Sequence, residues 1–248
     1  MQDDPFIRYV DLHKALGGKP VLAGVNLDVP RGQTVVVLGG SGSGKSVLLR
    51  HTIGLHRPDS GDVWVDGESI TGLEEEQLID TRKKVGMLFQ AGALFDSMSV
   101  EDNVAYALRE HTDWDEERIL QRVREVLSLV ELENVEALMP ADLSGGMRKR
   151  VALARAIALA PRGILYDEPT TGLDPVTANT INDLIRNLQK RLGVTSIVVT
   201  HDIHSAFCVG DRVAFLRDGT IRFDGTVEEA KASTEPKLRA FLRGGGYA

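Results

Sequence analysis

A glycine-rich segment early in the chain contains the residue types that bind phosphate. Residues 39–46 read Gly-Gly-Ser-Gly-Ser-Gly-Lys-Ser and fit the pattern G-x-x-x-x-G-K-[ST]. Glycines let a backbone turn its N–H groups toward an anion, and the start of a following helix adds partial positive charge. The lysine of such a loop reaches the β- and γ-phosphates, and the last hydroxyl binds Mg²⁺. A plain glycine-rich turn is the alternative. The predicted nucleotide site comprises Gly39, Gly40, Ser41, Gly42, Ser43, Gly44, Lys45, Ser46 and Val47.

Two carboxylates follow an apolar segment much later in the chain. Asp167 and Glu168 come directly after Ile-Leu-Tyr, and ligands of parallel sheets lie at the carboxyl ends of strands. There Asp167 would bind Mg²⁺ through water, and Glu168 would orient or deprotonate an attacking water. Two solvated acids at a strand end are the alternative, and the presence of the glycine loop favours the catalytic interpretation.

A third segment could bind a second anion. Residues 143–147 read Leu-Ser-Gly-Gly-Met, and a helix with three successive cationic residues follows. The start of a helix at Ser144, Gly145 and Gly146 would offer free N–H groups to a phosphate. A simple N-cap by the serine explains the same residues when the segment is taken alone.

The elements around these segments alternate between strands and helices. Short runs rich in Val, Ile and Leu predict strands at residues 6–10, 21–29, 34–38, 62–65, 85–89, 164–166, 196–199, 213–216 and 220–223. Apolar residues at helical spacing predict helices at residues 101–110, 115–130, 146–159 and 175–192, and further helices starting at Lys45 and near Ile203. This alternation predicts an α/β fold with a mostly parallel core sheet. The tail, residues 235–248, is expected to fray, and docking of Pro236, Leu238, Phe241 and Leu242 on a neighbouring subunit is the alternative.

Composition excludes several classes of protein. The chain has 248 residues, a formal net charge of −7 and 42% hydrophobic residues, so it is neither disordered nor a general nucleic-acid binder. The single cysteine, Cys208, excludes an internal disulfide framework. The sequence has no run of about 20 apolar residues and does not begin like a secretory signal, so we expect a cytoplasmic protein. His204 and Cys208 are expected to be packing residues.

Taken together, the motifs resemble the ATP-binding subunits of ABC transporters. The resemblance covers about residues 6–230, and six motifs occur in order. Residues 39–46 resemble the Walker A loop, residues 143–147 the signature motif and residues 164–168 Walker B. Gln90 resembles the Q-loop glutamine, residues 172–175 the D-loop, and His201 the switch histidine.

The resemblance implies a fold and a division of the chain. The fold is that of an ABC-type P-loop ATPase with an antiparallel β edge and a helical lobe. The whole chain, residues 1–248, would be one ATPase domain. Its core would span about residues 1–90 and 161–230, its helical lobe about residues 91–160, and its tail residues 231–248.

The resemblance also implies a mechanism that uses ATP and Mg²⁺. Two subunits form a homodimer, and each ATP lies between the Walker A loop of one copy and the Ser144–Gly146 signature of the other. Gln90 would contact Mg²⁺ and water, and His201 would contact the γ-phosphate and hold the water with Glu168. Asp174 would act across the dimer interface. Each residue has a simpler alternative. Gln90 could be an ordinary amide at a strand end, His201 could cap a helix, and Asp174 could cap a helix.

Two residues depart from the family pattern. Met147 stands where the signature usually ends in glutamine. Leu16 stands where the family often has an aromatic residue that stacks on adenine. An aliphatic side chain could still give the base an apolar contact.

The segment 91–112 resembles that of the Mla/Mkl-type ATPases, which energise phospholipid transport in bacterial envelopes. This implies an integral membrane permease and an MCE-domain lipid-binding protein as partners, in some members with a small STAS-domain protein, and no nucleic acid. The chain would then lie on the cytoplasmic face of the inner membrane, attached through the permease. An ATPase of an importer for another solute shares every motif and is the alternative. A non-transport ABC protein usually has two ATPase domains, a GTPase would need a guanine-reading motif, and a small-molecule kinase would lack the signature.

Overall fold

The computed structural model describes residues 4–244. The strands in this range are β1 (Ile7–Leu16), β2 (Lys19–Val29), β3 (Thr34–Leu38), β4 (Ser60–Val65), β5 (Glu68–Ser69), β6 (Val85–Leu88), β7 (Gly163–Asp167), β8 (Thr195–Thr200), β9 (Arg212–Arg217) and β10 (Thr220–Thr226). The helices are α1 (Lys45–His51), α2 (Glu75–Lys84), α3 (Val100–His111), α4 (Glu116–Leu129), α5 (Gly145–Ile157), α6 (Pro175–Leu192), α7 (Ile203–Val209), α8 (Val227–Ala232) and α9 (Pro236–Gly244).

The central sheet has six strands in the order β10-β9-β3-β8-β7-β6. Four of its five strand pairings are parallel, and the pairing of β10 with β9 at one edge is antiparallel. Leu38 lies opposite Thr200, and Asp167 lies opposite Val199. The carboxyl ends of β3, β7 and β8 therefore meet at one edge, where three of the predicted motifs begin.

The central strands are buried on both faces, as their continuous apolar runs predict. Val36 and Leu38 of β3 pack into a core shared with helices α3 to α7. Val35 and Val37 point the other way, into a core shared with β1, β2 and β4. This division follows from the two-residue period of a strand.

A second, antiparallel sheet covers the latter core, in the order β2-β1-β4-β5. Its outer residues are partly exposed, whereas Tyr9 and Leu12 of β1 are buried. The fold is thus α/β with a mostly parallel central sheet and antiparallel strands at its side, as the sequence predicts.

Helices α3, α4 and α5 pack on the opposite face. Ser99 caps α3 and Asp115 caps α4, each accepting a hydrogen bond from a backbone N–H three residues on. The predicted apolar face of α4 is confirmed, because its buried residues are Ile119, Val123, Val126 and Leu127. The assignment of residues 91–160 to a separate lobe, and the other domain boundaries, stay predictions.

Several elements differ from the sequence-based expectation. Helix α2 was not predicted, because it buries only Leu78 and Thr81 and so lacks an apolar stripe. The expectation of a frayed tail is wrong for α9, whose Leu238 and Leu242 are buried in the core that contains Val36. The last residues of the predicted tail, 245–248, lie outside the described residues. Among residues 4–244, none of the helices combines the length and the apolar composition that crossing a bilayer requires.

Candidate functional site

The glycine loop connects β3 to α1 and leaves the start of the helix open. Gly42 and Gly44 have φ angles of +73° and +99°, which glycine adopts at little cost. Gly44 occupies the N-cap position of α1, and no side chain caps the helix there. The first N–H groups of α1 are therefore available to an anion. The Ser43 hydroxyl, buried and without a hydrogen-bond partner in the described residues, is a further donor in the same loop.

Lys45 is held inside this loop. Its Nζ donates to the carbonyl oxygens of Gly39 and Gly40, at 2.9 and 3.0 Å, and lies 3.3 Å from the Glu168 carboxylate. The side chain is only 5% exposed, so its charge acts in a poorly solvated environment. A phosphate held by the loop would meet this ammonium directly.

Ser46 and Asp167 form a pair of oxygen donors beside the lysine. The Ser46 hydroxyl donates to Asp167 Oδ1 at 2.6 Å, and Asp167 is buried. A hydroxyl and a carboxylate are ligands that Mg²⁺ prefers, and Mg²⁺ usually takes only one or two protein ligands besides phosphate and water. The residues therefore fit a magnesium ion.

Glu168 lies at the centre of a group of polar side chains. His201 Nδ1 lies 2.9 Å from Glu168 Oε2, and the hydroxyls of Thr171 and Thr200 both donate to that oxygen at 3.3 Å. Glu168 has a φ of +48°, an uncommon backbone conformation for a residue with a side chain. The carboxylate is buried while the His201 ring is 54% exposed. This arrangement orients a carboxylate beside Lys45 and leaves the histidine accessible.

Gln90 follows β6, the strand next to β7. The pairing of β6 with β7 ends at Leu88 and Tyr166, so Gln90 and Glu168 both follow the carboxyl ends of neighbouring parallel strands. The backbone carbonyl of Gln90 accepts a hydrogen bond from Nζ of Lys149, a buried residue of α5. Gln90 thus belongs to the same sheet edge as the carboxylates.

The serine-glycine segment opens α5 and packs against the start of α6. Ser144 caps α5 by accepting from the N–H of Met147 at 3.2 Å, and a Cβ on Gly146 would come within 2.7 Å of the Thr177 side chain. Asp174 caps α6, and the hydroxyl of Thr177, which donates to its carboxylate, lowers its pKa. Within residues 4–244, hydrogen bonds do not connect Ser144 to the glycine loop. One copy of the chain therefore brings together Lys45, Ser46, Asp167, Glu168 and His201, with Gln90 at the same sheet edge. It leaves Ser144, Gly145, Gly146 and Asp174 with local contacts.

The structure also places three further residues that the sequence analysis names. Leu16 ends β1 and is 40% exposed, so its side chain is accessible to a ligand. The expectation that His204 and Cys208 are packing residues is wrong. Both are exposed on α7, with the Cys208 sulfur 3.6 Å from His204 Nε2, because the other face of that short helix supplies the buried residues.

Comparison with known families agrees with this geometry. Residues 22–171, more than half of the chain, match the family described as ABC transporter. The chain belongs to the ABC transporter family. The match includes the glycine loop, the Ser144–Gly146 segment and the two carboxylates.

Curated relatives of this ABC ATPase are known from several bacteria. It is 42% identical over 234 residues to the Intermembrane phospholipid transport system ATP-binding protein MlaF of Escherichia coli K12, covering 94% of this chain and 87% of the relative. It is also 42% identical to the Probable ribonucleotide transport ATP-binding protein mkl of Mycobacterium leprae, covering 94% of this chain and 67% of that protein.

Solved structures of ABC cassettes share the fold. The dimeric post-hydrolysis state of MJ0796, bound to ADP and Pi, superposes with a TM-score of 0.82 at 34% identity, covering 89% of this chain and 98% of that one. CbiO1 of Clostridium perfringens, part of the cbiONQ transporter complex, superposes with a TM-score of 0.85 at 31% identity, covering 97% and 96%. The ABC ATPase fold is thus established for this chain.

The ABC ATPase also has an apolar groove beside the Q-loop segment. The groove has a volume of about 520 Å³, and its lining includes Met87, Phe95, Tyr106 and Leu159. The rings of Phe95 and Tyr106 lie 5.1 Å apart and are both more than 40% exposed. Such an exposed apolar surface is typical of an interaction site.

Sequence reasoning missed three polar residues of the site. Thr171 and Thr200 contact Glu168 only because the loop after β7 and the end of β8 lie side by side. Lys149 had a detectable signal, since it lies four and eight residues before Leu153 and Ile157 and so shares the buried face of α5.

Proposed function

We propose that this chain binds ATP with Mg²⁺, hydrolyses it, and powers phospholipid transport in the bacterial envelope. The observation that carries the catalytic part is the convergence of Lys45, Glu168 and His201 at one sheet edge, beside the Ser46–Asp167 pair. Phosphoryl transfer to water requires three kinds of group: a cation that binds the phosphates, a base positioned beside the attacking water, and oxygen ligands for a metal ion.

Each residue has a separate task in this mechanism. The N–H groups of Gly40–Ser46 and Val47 bind the phosphates, and Lys45 exchanges its carbonyl partners for phosphate oxygens. Ser46, Asp167 and Gln90 would hold Mg²⁺, Asp167 through water, and the bound ion would neutralise charge on the phosphates. Glu168 orients or deprotonates the attacking water, and His201 keeps that carboxylate in place while contacting the γ-phosphate.

The second half of the site comes from another copy of the chain. Ser144, Gly145 and Gly146 begin a helix whose N-terminus favours an anion, yet within one copy they lie apart from the glycine loop. We infer a head-to-tail homodimer in which this signature closes over the nucleotide bound by the partner subunit, with Asp174 at the interface. The dimeric MJ0796 cassette supports this arrangement.

The apolar groove beside Phe95 is proposed to receive a helix of an integral membrane permease. The groove has the exposed aromatic surface that an amphipathic helix needs, and it adjoins the residues that follow Gln90. The chain would then act as a peripheral subunit on the cytoplasmic side of the inner membrane.

The transported substrate is inferred from the relatives. MlaF, named for intermembrane phospholipid transport, supports phospholipid, whereas the mkl name supports a ribonucleotide. We favour phospholipid because the chain spans 87% of the MlaF length, against 67% of mkl. An MCE-domain lipid-binding protein and a small STAS-domain protein are the further partners proposed on this basis.

The catalytic proposal is tested with Glu168→Gln. This change keeps the size of the side chain but removes the base, so hydrolysis should fall by about 10²–10⁴-fold while ATP binding persists. Phosphate release measures the first effect, and gel filtration with ATP should show a trapped dimer. Glu131→Gln, at an exposed acid of the helical region, is the matched control. Normal turnover by Glu168→Gln would contradict the assigned role.

The transport proposal needs the whole complex. Tagged chain purified from native membranes should bring a permease with it, and the reconstituted complex should transfer fluorescent phospholipid between vesicles on addition of ATP. The same complex carrying Glu168→Gln should not. ATP-dependent uptake of a ribonucleotide without lipid transfer would favour the alternative substrate.

A further inference from the structure

Two cationic side chains of α5 turn back onto the segment that follows β6. Lys149 donates to the backbone carbonyl of Gln90. Arg155 donates from Nη2 to the carbonyl of Gly92 at 3.2 Å and from Nη1 to the carbonyl of Ala93 at 2.8 Å. Three of the four carbonyls in residues 90–93 are therefore bound by one helix.

The backbone of this segment has one hydrogen bond of its own, from the Gly92 N–H to the Phe89 carbonyl at 2.8 Å. Gly92 and Ala93 have φ angles of +80° and +52°, and the latter is unfavourable for alanine. The segment lies close enough to α5 that a Cβ on Gly92 would be 3.6 Å from Cβ of Ala152. The hydrogen bonds from α5 therefore add to this turn and stabilise the unfavourable backbone conformation of residues 90–93.

Burying the charged side chain of Lys149 costs desolvation free energy that a purely structural contact would not require. It is 7% exposed, and burial lowers its pKa, while the nearby charges of Asp167 and Glu168 act in the opposite direction. A neutral donor would bridge two backbones without that desolvation cost. Its neighbour Arg150 shows the contrast, since it donates to the Glu131 carbonyl at the surface, away from the site.

We propose that Lys149, assisted by Arg155, is a positioning residue that fastens the Gln90 segment to α5. These hydrogen bonds to the backbone of residues 90–93 hold Gln90 at the sheet edge where the metal would bind. The inference rests on the role of Gln90 given under Proposed function.

The test compares Lys149→Met with Arg150→Met in the full-length chain. Lys149→Met keeps the length and apolar stem but removes the ammonium, whereas Arg150→Met removes a cation from the same helix away from the segment. Binding of a fluorescent ATP analogue is titrated with Mg²⁺ in the Glu168→Gln background, so that no turnover occurs. Hydrogen–deuterium exchange of the 89–95 segment is measured on the same proteins.

Lys149→Met should raise the Mg²⁺ concentration for half-saturation by about tenfold, because one to two residues must be ordered upon binding. It should also speed amide exchange in residues 90–93. Arg150→Met should change neither quantity. Lys149→Gln keeps one donor without the charge, so it should show a smaller shift, and it carries the test if Lys149→Met does not fold.

Two results would overturn these claims separately. If Gln90→Ala shifts the Mg²⁺ requirement but Lys149→Met and Lys149→Gln behave as Arg150→Met, the fastening role is refuted. If Gln90→Ala itself causes no shift, the metal-contact role of Gln90 is refuted, and the positioning role is refuted with it.

Discussion

At the scale of single residues, the site depends on charges placed where water is scarce. Lys45 is almost fully buried against two carbonyls and a carboxylate, so its ammonium already has partners that phosphate oxygens can replace. Glu168 is fixed by one histidine and two hydroxyls around one oxygen. Substitutions at these positions should therefore affect binding and turnover in different ways.

Lys45→Met should weaken ATP binding strongly. It removes a buried cation facing the phosphates, a change that typically costs about 2–5 kcal/mol, or roughly 30-fold or more in affinity. Titration with a fluorescent ATP analogue measures this. Arg50→Met, at an exposed cation near the end of the same helix, is the control and should bind normally. Near-normal affinity in Lys45→Met would remove the basis of the nucleotide site.

His51 should make the protein less stable in acid. Burial lowers its pKa to about 4, its Nδ1 donates to the Val47 carbonyl at 2.7 Å, and its Nε2 is buried without a partner in the described part of the chain. Between the unfolded pKa near 6.5 and pH 4, the unfolded state binds a proton that the folded state does not, so stability falls as pH falls through this window.

The expected loss from pH 7 to pH 5 is about 2 kcal/mol from this histidine. Urea unfolding of wild type and His51→Asn at both pH values should reveal it as a smaller pH dependence in the variant, since asparagine can still donate to Val47. His111→Asn, at an exposed position, should retain the wild-type pH dependence. An equal change in unfolding free energy between pH 7 and pH 5 for all three proteins would contradict the lowered pKa of His51.

At the scale of elements, the parallel strands determine which loops meet. β3, β7 and β8 are neighbours with matched registers, so the glycine loop, the carboxylates and His201 leave the sheet at the same edge. α5 starts next to Ser144, and its Lys149 donates a hydrogen bond to the Gln90 carbonyl, so the helix joins the Ser144 segment to this edge. The last helix, α9, contributes to stability, since it closes the core that contains Phe215, whose ring lies 5.4 Å from that of Phe241.

Leu238→Ala should therefore destabilise the whole protein. Leu238 is fully buried, and its truncation should cost about 2–5 kcal/mol of unfolding free energy. Urea unfolding followed by circular dichroism measures the change. Arg239→Ala on the exposed face of the same helix should be nearly neutral. A frayed tail would instead make the two variants equally stable.

At the scale of the whole molecule, one copy contains only part of the proposed site. The residues proposed to bind ATP and to activate water, around Lys45 and Glu168, lie together. Ser144–Gly146 instead pack against the start of α6 in the same copy. A head-to-tail dimer, as proposed above, would combine the two halves, and defects in different halves should then complement each other.

Mixing Lys45→Met with Ser144→Arg should restore activity. In a mixed dimer, one site combines an intact Lys45 with an intact Ser144, while the other site carries both defects. With random pairing, half of the dimers are mixed, so up to about a quarter of wild-type activity should return. Phosphate release is measured for each variant alone and for the mixture, with Ser128→Arg on α4 as the surface control. No recovery on mixing would indicate that the site is completed within one copy.

Local patterns in the sequence were enough to predict the type of fold and a nucleotide site. Spacing in residues 39–46, the acids after an apolar run and the alternation of strands and helices predicted the nucleotide loop, Asp167, Glu168 and the parallel sheet, because all depend on local pattern. The bounds of β3 and α6 were predicted correctly, since β3 is an unbroken apolar run and α6 begins at Asp-Pro and ends before Gly193.

Contacts between side chains that are distant in the sequence became visible only in the folded structure. Three contacts join parts of the chain that no local pattern relates. The hydroxyls of Thr171 and Thr200 donate to Glu168, and Lys149 donates to the Gln90 carbonyl. The third contact is the packing of α9 into the core. α2 was not predicted because it buries only one leucine and one threonine and has no stripe of apolar residues. Residue types and spacing encode local preferences, whereas these contacts are set by strand order and packing, which exist only when the whole chain has folded.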